Sequence, residues 1–264
     1  MPYLEHCTQD SGPLDIPPRQ TLKNPYNTQR SNMSNSLRQT RSRVQRDALF
    51  RNAQKFPAPI NSTPRDIFTY PNPGGQVAGL YYRRGDHRTI LIYVAGFCVY
   101  DTDFSGNIHS RAGCAWVFRP PPHSLHGRIK SVGLEQQGPS HEEHPLTSHR
   151  AELHAVIGAL ETGHWFDIGM KNIVIASSSD PLVLGITERI EDWKEQGWRD
   201  TSGTVIANLD LWEELLREIN RYSNFGTKVY FWKIGQNENQ EAHLAARATA
   251  LLMAPIRQYT STNQ

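Results

Sequence analysis

Apolar residues follow two periods along this chain, and they do so only in its later part. Thr89-Ile90-Leu91-Ile92-Tyr93-Val94 is a short, nearly continuous apolar run, which predicts a central strand covered on both faces. Ala112 to Phe118 predicts a second strand, stopped by Pro120-Pro121-Pro122 because proline cannot donate to a ladder. Gly127 to Leu134 predicts a third and completes an antiparallel meander. From Thr147 to Thr162 the period becomes helical, with Leu153, Val156, Ile157 and Leu160 on one side and Thr147 or Ser148 as the cap. Lys171 to Ala176 predicts another buried strand. A helical stretch through Leu182, Ile186, Ile190 and Trp193 follows and ends at Gly197. Leu209 to Tyr222 is amphipathic, Thr227 to Ile234 is a fifth strand, and Gln240 to Met253 is the last helix. The order βββαβαβα predicts one α/β domain over 89–254, a mixed five-stranded sheet with helices on its faces.

Upstream the pattern fades. Residues 56–88 are rich in proline and glycine, with a turn at Asn72-Pro73-Gly74-Gly75 between Ile67-Phe68-Thr69-Tyr70 and Leu80-Tyr81-Tyr82. They read as a linker, or as a hairpin or strap against the domain. Residues 1–55 hold 9 Lys/Arg and 4 Asp/Glu, whereas 56–264 hold 19 and 22. This basic, polar arm has too few apolar residues to offset chain entropy, so disorder is expected. Contact with nucleic acid, a targeting signal and a solubilising tail are the three readings of its charge. Residues 255–264 read as a flexible tail.

Composition removes several classes. Across 264 residues the mean hydropathy is −0.58, and no apolar run approaches the roughly 18 residues of a membrane span. Met1 to Asp10 lacks the apolar core of a secretory signal. Three cysteines, Cys7, Cys98 and Cys114, form neither a disulfide framework nor a metal-ligand spacing, so a reducing compartment is expected. A nuclear or cytoplasmic protein fits, with a mitochondrial address as the alternative.

Several motifs in this order resemble the type 1 ribonuclease H family. Ile92-Tyr93-Val94-Ala95-Gly96-Phe97-Cys98 is similar to the family's first strand, and Arg111-Ala112-Gly113 to its second. Thr147-Ser148-His149-Arg150-Ala151-Glu152-Leu153 resembles the motif that opens its first helix. Ile175-Ala176-Ser177-Ser178-Ser179, the segments around Trp193, Trp198 and Trp212, and Trp232-Lys233-Ile234 with Asn239-Gln240-Glu241-Ala242-His243-Leu244-Ala245 resemble the rest. The resemblance implies a ribonuclease H-like fold and cleavage of the RNA strand of RNA–DNA hybrids with two magnesium ions held by four carboxylates.

Set against that pattern, only Glu152 is retained. Ala95 stands at the acid that would bridge the two ions, Ser178 at the one on the fourth strand and His243 at the one on the last helix. No metal site and no cofactor are therefore expected, magnesium entering only if the protein is active after all. Asp101 and Asp103, after the first strand, and Asp180, two residues beyond Ser178, are the neighbours that could substitute, although Asp180 before Pro181 suits a helix cap. Asn107, Arg111, Thr147, Ser148 and His149 are the candidate nucleic-acid contacts. Trp193, Trp198, Trp212 and Trp232 read as packing residues. His123, His126, His141 and His144 read as an ordinary loop, and Cys98 as an inert thiol.

These readings combine into a catalytically inactive ribonuclease H-like protein with a hybrid or duplex nucleic acid as partner. A divergent active hybrid ribonuclease is the alternative, and a scaffold for a protein partner the third.

Overall fold

The computed structural model describes residues 53–70, 79–102, 104–106, 108–118, 129–139 and 141–252. The arm up to residue 52, the Asn72–Gly75 turn, Asp103, Asn107, the three prolines, His123, His126 and the tail lie outside the described residues. The core is the expected meander and crossover sheet. Strand β4 (Asp86–Thr102) pairs antiparallel with β5 (Ile108–Val117), which pairs antiparallel with β6 (Ile129–Gly133). On its other side β4 pairs parallel with β7 (Asn172–Ser177), and β7 with β8 (Lys228–Lys233).

The apolar run in β4 has a use for each face. Ile90, Ile92 and Val94 enter the main core beneath helices α2 (Ser148–Thr162) and α5 (Leu209–Asn224), with Trp116, Leu153, Leu215 and Phe231. Leu91 faces the opposite side, with Val174, Ala176 and Trp232. Helix α6 (Gln240–Leu252) covers another part of that side, where Ala242 and Ala246 meet Ala95, Ala115 and Val117. Small residues make this approach possible: a Cβ on Gly113 would lie 2.5 Å from the Ala246 carbonyl oxygen.

Three short strands extend the sheet beyond the five expected, giving eight among the described residues. β1 (Ala53–Lys55) pairs parallel with β8, so the last three residues assigned to the disordered arm are ordered. The chain then crosses the sheet through α1 (Pro64–Ile67), with Phe56 and Phe68 seated on Leu91 and Trp232. It returns as a hairpin of β2 (Phe68–Thr69) and β3 (Tyr81–Arg83), the latter paired with β4. Of the segment expected as a linker or strap, the described residues supply α1, β2 and β3, and Phe68 joins Phe56 in packing on the sheet face beside α6.

The third helical stretch is interrupted: α3 (Asp180–Leu184) passes through a π turn at Gly185–Arg189 into α4 (Ile190–Glu195). The Trp212 ring presses on Gly185, where a Cβ would be 2.6 Å from it. The tryptophans pack as expected, Trp212 and Trp232 buried and Trp193 and Trp198 partly so.

Candidate functional site

The site assembles where β4, β7, α2 and α6 converge. Gly96 sets the spacing: a Cβ there would lie 2.3 Å from the Glu152 nitrogen and 2.5 Å from the Ala151 carbonyl carbon. Only glycine lets the first turn of α2 lie this close to β4, and that contact brings Glu152 beside Ala95. Ser148 strengthens the junction, its hydroxyl accepting from the Cys98 amide at 3.1 Å. Thr147 caps α2, accepting from the Arg150 amide at 3.1 Å.

Glu152 is partly exposed. Its Oε2 accepts from the Ser179 hydroxyl at 2.5 Å and lies 3.5 Å from His149 Nδ1. Ser179 in turn accepts from the Leu182 amide at 3.3 Å and is the N-cap of α3. The cap expected at Asp180 therefore sits one residue earlier, because the Ser179 hydroxyl can serve helix and carboxylate at once. Asp180 occupies the first turn and pairs outward with Lys233 at 3.4 Å. Asn239 fastens α6 to this centre. It is buried, and its side-chain nitrogen donates to the Val94 carbonyl at 2.8 Å and contacts the Ser178 hydroxyl at 3.3 Å. The His243 ring stands edge-on to Phe97, centroids 5.4 Å apart, with the Arg247 guanidinium 5.8 Å from the same ring.

Two magnesium ions do not fit this donor set. Ala95 offers a methyl group inside an alanine cluster, Ser178 is hydrogen-bonded to Asn239, and His243 brings an imidazole where a hard oxygen ligand is preferred. The two described neighbours that could substitute are engaged elsewhere. Asp180 faces Lys233, and Asp101 pairs with Arg111. Asp101, expected after the first strand, and Arg111 both lie in the ladder, because β4 and β5 run on as a hairpin past the apolar core. Main-chain pairing sustains that extension without an apolar pattern. Arg111 also donates to the Leu251 carbonyl at 2.8 Å, so its guanidinium ties the hairpin to α6.

Of the other expected contacts, Ser148 is exposed, and His149 is half-buried against Trp212, ring centroids 5.7 Å apart. His144 stands in its loop 3.4 Å from Asp210. Burial pushes the Cys98 thiol up, and its Sγ lies 3.3 Å from the Leu146 carbonyl oxygen. Among the described residues, three acidic side chains come close together only at Glu161, Glu214 and Glu218, between α2 and α5. Burial pushes the Glu214 carboxyl up, while Arg217 and Arg221 pair with Glu214 and Glu218. Sequence reading missed Ser179 and Asn239. Ser179 was visible as a hydroxyl before a helix, but the 145-residue separation between Asn239 and Val94 gave no local signal.

The RNase H family model matches residues 102–251. A ribonuclease H of Photorhabdus laumondii is 35% identical over 104 residues, 39% of this chain and 64% of that protein. One of Enterobacter sp. (strain 638) is 32% identical over 121 residues, 44% of this chain and 70% of that protein. The chain thus spans about two thirds of the length of these curated relatives. Among solved structures, LC9-RNase H1, described as a type 1 RNase H with the type 2 active-site motif, is 26% identical with a TM-score of 0.39. That likeness covers 63% of this chain and 74% of LC9-RNase H1.

Proposed function

Because the chain belongs to the RNase H family, whose model matches more than half of its residues, we propose that it binds nucleic acid without cleaving RNA–DNA hybrids. The observation that carries this reading is Ala95. It stands at the position of the bridging acid and packs into the alanine contact between β4 and α6, so no oxygen is available to join two ions. The site then has lost negative charge, which lowers repulsion against phosphates. Ser148 and His149 at the start of α2 are the residues placed to meet a sugar–phosphate backbone, and the basic arm supplies counterion-release affinity that the slightly acidic remainder lacks.

The test is magnesium- and manganese-dependent cleavage of an end-labelled RNA–DNA hybrid by the full chain, with binding scored in the same reactions. Binding without cleavage is expected. Cleavage that vanishes in Glu152→Gln would overturn the proposal in favour of a rebuilt catalytic centre. That second reading draws on one observation: Glu152 keeps a solvent-reaching carboxylate, its side chain 20% exposed.

A further inference from the structure

Between the strap and the first turn of α6 lies a chamber of about 250 Å³. Arg65, Tyr81 and Tyr93 form one wall of it and also line a neighbouring hollow of about 340 Å³. The two tyrosine rings meet edge to face, centroids 5.4 Å apart and planes at 75°. Asn239 lines the chamber from the α6 side. It is 1% exposed, and its amide nitrogen is spent on Val94 and Ser178. Those two contacts fix the amide's orientation and leave Oδ1 as a buried acceptor with no donor. Buried polar atoms without partners are rare, and each points to a missing group. Glu238, which accepts from the Asn237 side-chain nitrogen at 3.3 Å, and Glu241 add two carboxylates to the lining, against the single guanidinium of Arg65.

We propose that this chamber takes an unpaired nucleoside unit whose base carries an exocyclic amine. An aromatic face suits the tyrosines, and unpaired bases are commonly held by stacking on such rings. The amine supplies the donor that Asn239 Oδ1 lacks, and ribose hydroxyls donate to the carboxylates. Two acids against one cation disfavour a polyphosphate, whereas Arg65 suffices for one phosphodiester. Arg65 and Tyr81 precede both the span matched to the family model and the first-strand motif at Ile92–Cys98, so part of the chamber's wall is built by chain outside the family likeness. The proposal deepens the nucleic-acid reading by adding a single-strand site to it.

The experiment titrates the full chain with adenosine, with purine riboside, which lacks the amine, and with an RNA–DNA hybrid. Adenosine is expected to bind at least about fivefold more tightly than purine riboside, the low end of one hydrogen bond's worth. Tyr81→Leu should weaken adenosine by about fivefold or more, and leave hybrid binding unchanged. The ligand pair keeps the test sound even if Tyr81→Leu folds poorly. Equal affinity for the two nucleosides, or no nucleoside binding while the hybrid still binds, overturns the chamber and spares the broader reading. Adenosine selectivity without hybrid binding supports the chamber and sinks the broader reading.

Discussion

Arg150 and Asp210 form a two-pronged ion pair, Nη1 to Oδ1 at 2.9 Å and Nη2 to Oδ2 at 2.7 Å, that locks the first turn of α2 to the first turn of α5. Arg150 is 1% exposed. Burial pushes the Asp210 carboxyl up, but the hydrogen bonds and charge of Arg150 outweigh it and hold the group below its ordinary range. The loop after β6 seals the pair, since a Cβ on Gly138 would lie 2.1 Å from Asp210 Oδ2. Asp210→Ala would strand a buried guanidinium and should cost about 3–5 kcal/mol, read as a lower urea midpoint. Replacing both partners, Arg150→Met with Asp210→Leu, should cost much less than the single change.

His154 gives stability a pH dependence of known sign. Burial, and then the charge of Arg150, hold its imidazole down to about 4 from an ordinary 6.5. Cys114 Sγ lies 3.6 Å from Nδ1, and Glu135 lies 3.8 Å from Nε2. Between those pH values the unfolded chain binds the proton and the folded one does not, so stability falls as pH falls from 6.5 to about 4. A depression of that size is worth about 3 kcal/mol. Glu214, pushed up by burial, acts in the opposite direction. The measurement is therefore the difference between the protein and His154→Gln, whose urea midpoint should fall less steeply over that range.

The strap is a stabilising element of the domain. Phe56 is 5% exposed and stacks at a tilt on Trp232, centroids 5.2 Å apart, with Phe68 at 5.9 Å. Phe56→Ala should cost about 3–5 kcal/mol. Calorimetry should show one cooperative transition moved to lower temperature, and a separate early transition would refute this.

Ala95→Asp tests the proposal that Ala95 stands where the family resemblance implies a bridging acid. The residue is 5% exposed among Ala115, Ala242 and Ala246, so a new carboxylate would be buried without a partner and should destabilise by several kcal/mol. Adding Ser178→Asp and His243→Asp should make the loss recoverable by magnesium. Thermal melts with and without the ion read this directly, and a triple variant that magnesium fails to stabilise would show that α6 no longer leaves room for the ion.

Sequence reading served best where periodicity reports burial. Each residue from Ile90 to Tyr93 has a buried or half-buried place on alternate faces, as a run covered on both sides requires. It failed where a partner distant in the chain decides. Ala53-Gln54-Lys55 has no apolar rhythm, because β1 is held by main-chain pairing with β8 and by the Phe56 amide donating to the Phe231 carbonyl at 2.8 Å. The π turn at Gly185 depends on the Trp212 ring, which no local pattern announces. For the candidate site, the motif around Glu152 is readable in the sequence. The pairing of Asp101 with Arg111 and of Asp180 with Lys233 required the neighbouring strands in three dimensions.

The long central strand lies across the start of the family match. β4 ends at Thr102, the first residue that the family model matches. A fragment cut at that boundary would keep the matched span yet lose the strand on which β3, β5 and β7 are all hung. It would also lose every residue upstream that shields the sheet. Expression fragments that start at residue 102 should therefore precipitate where those beginning ahead of Ala53 remain soluble.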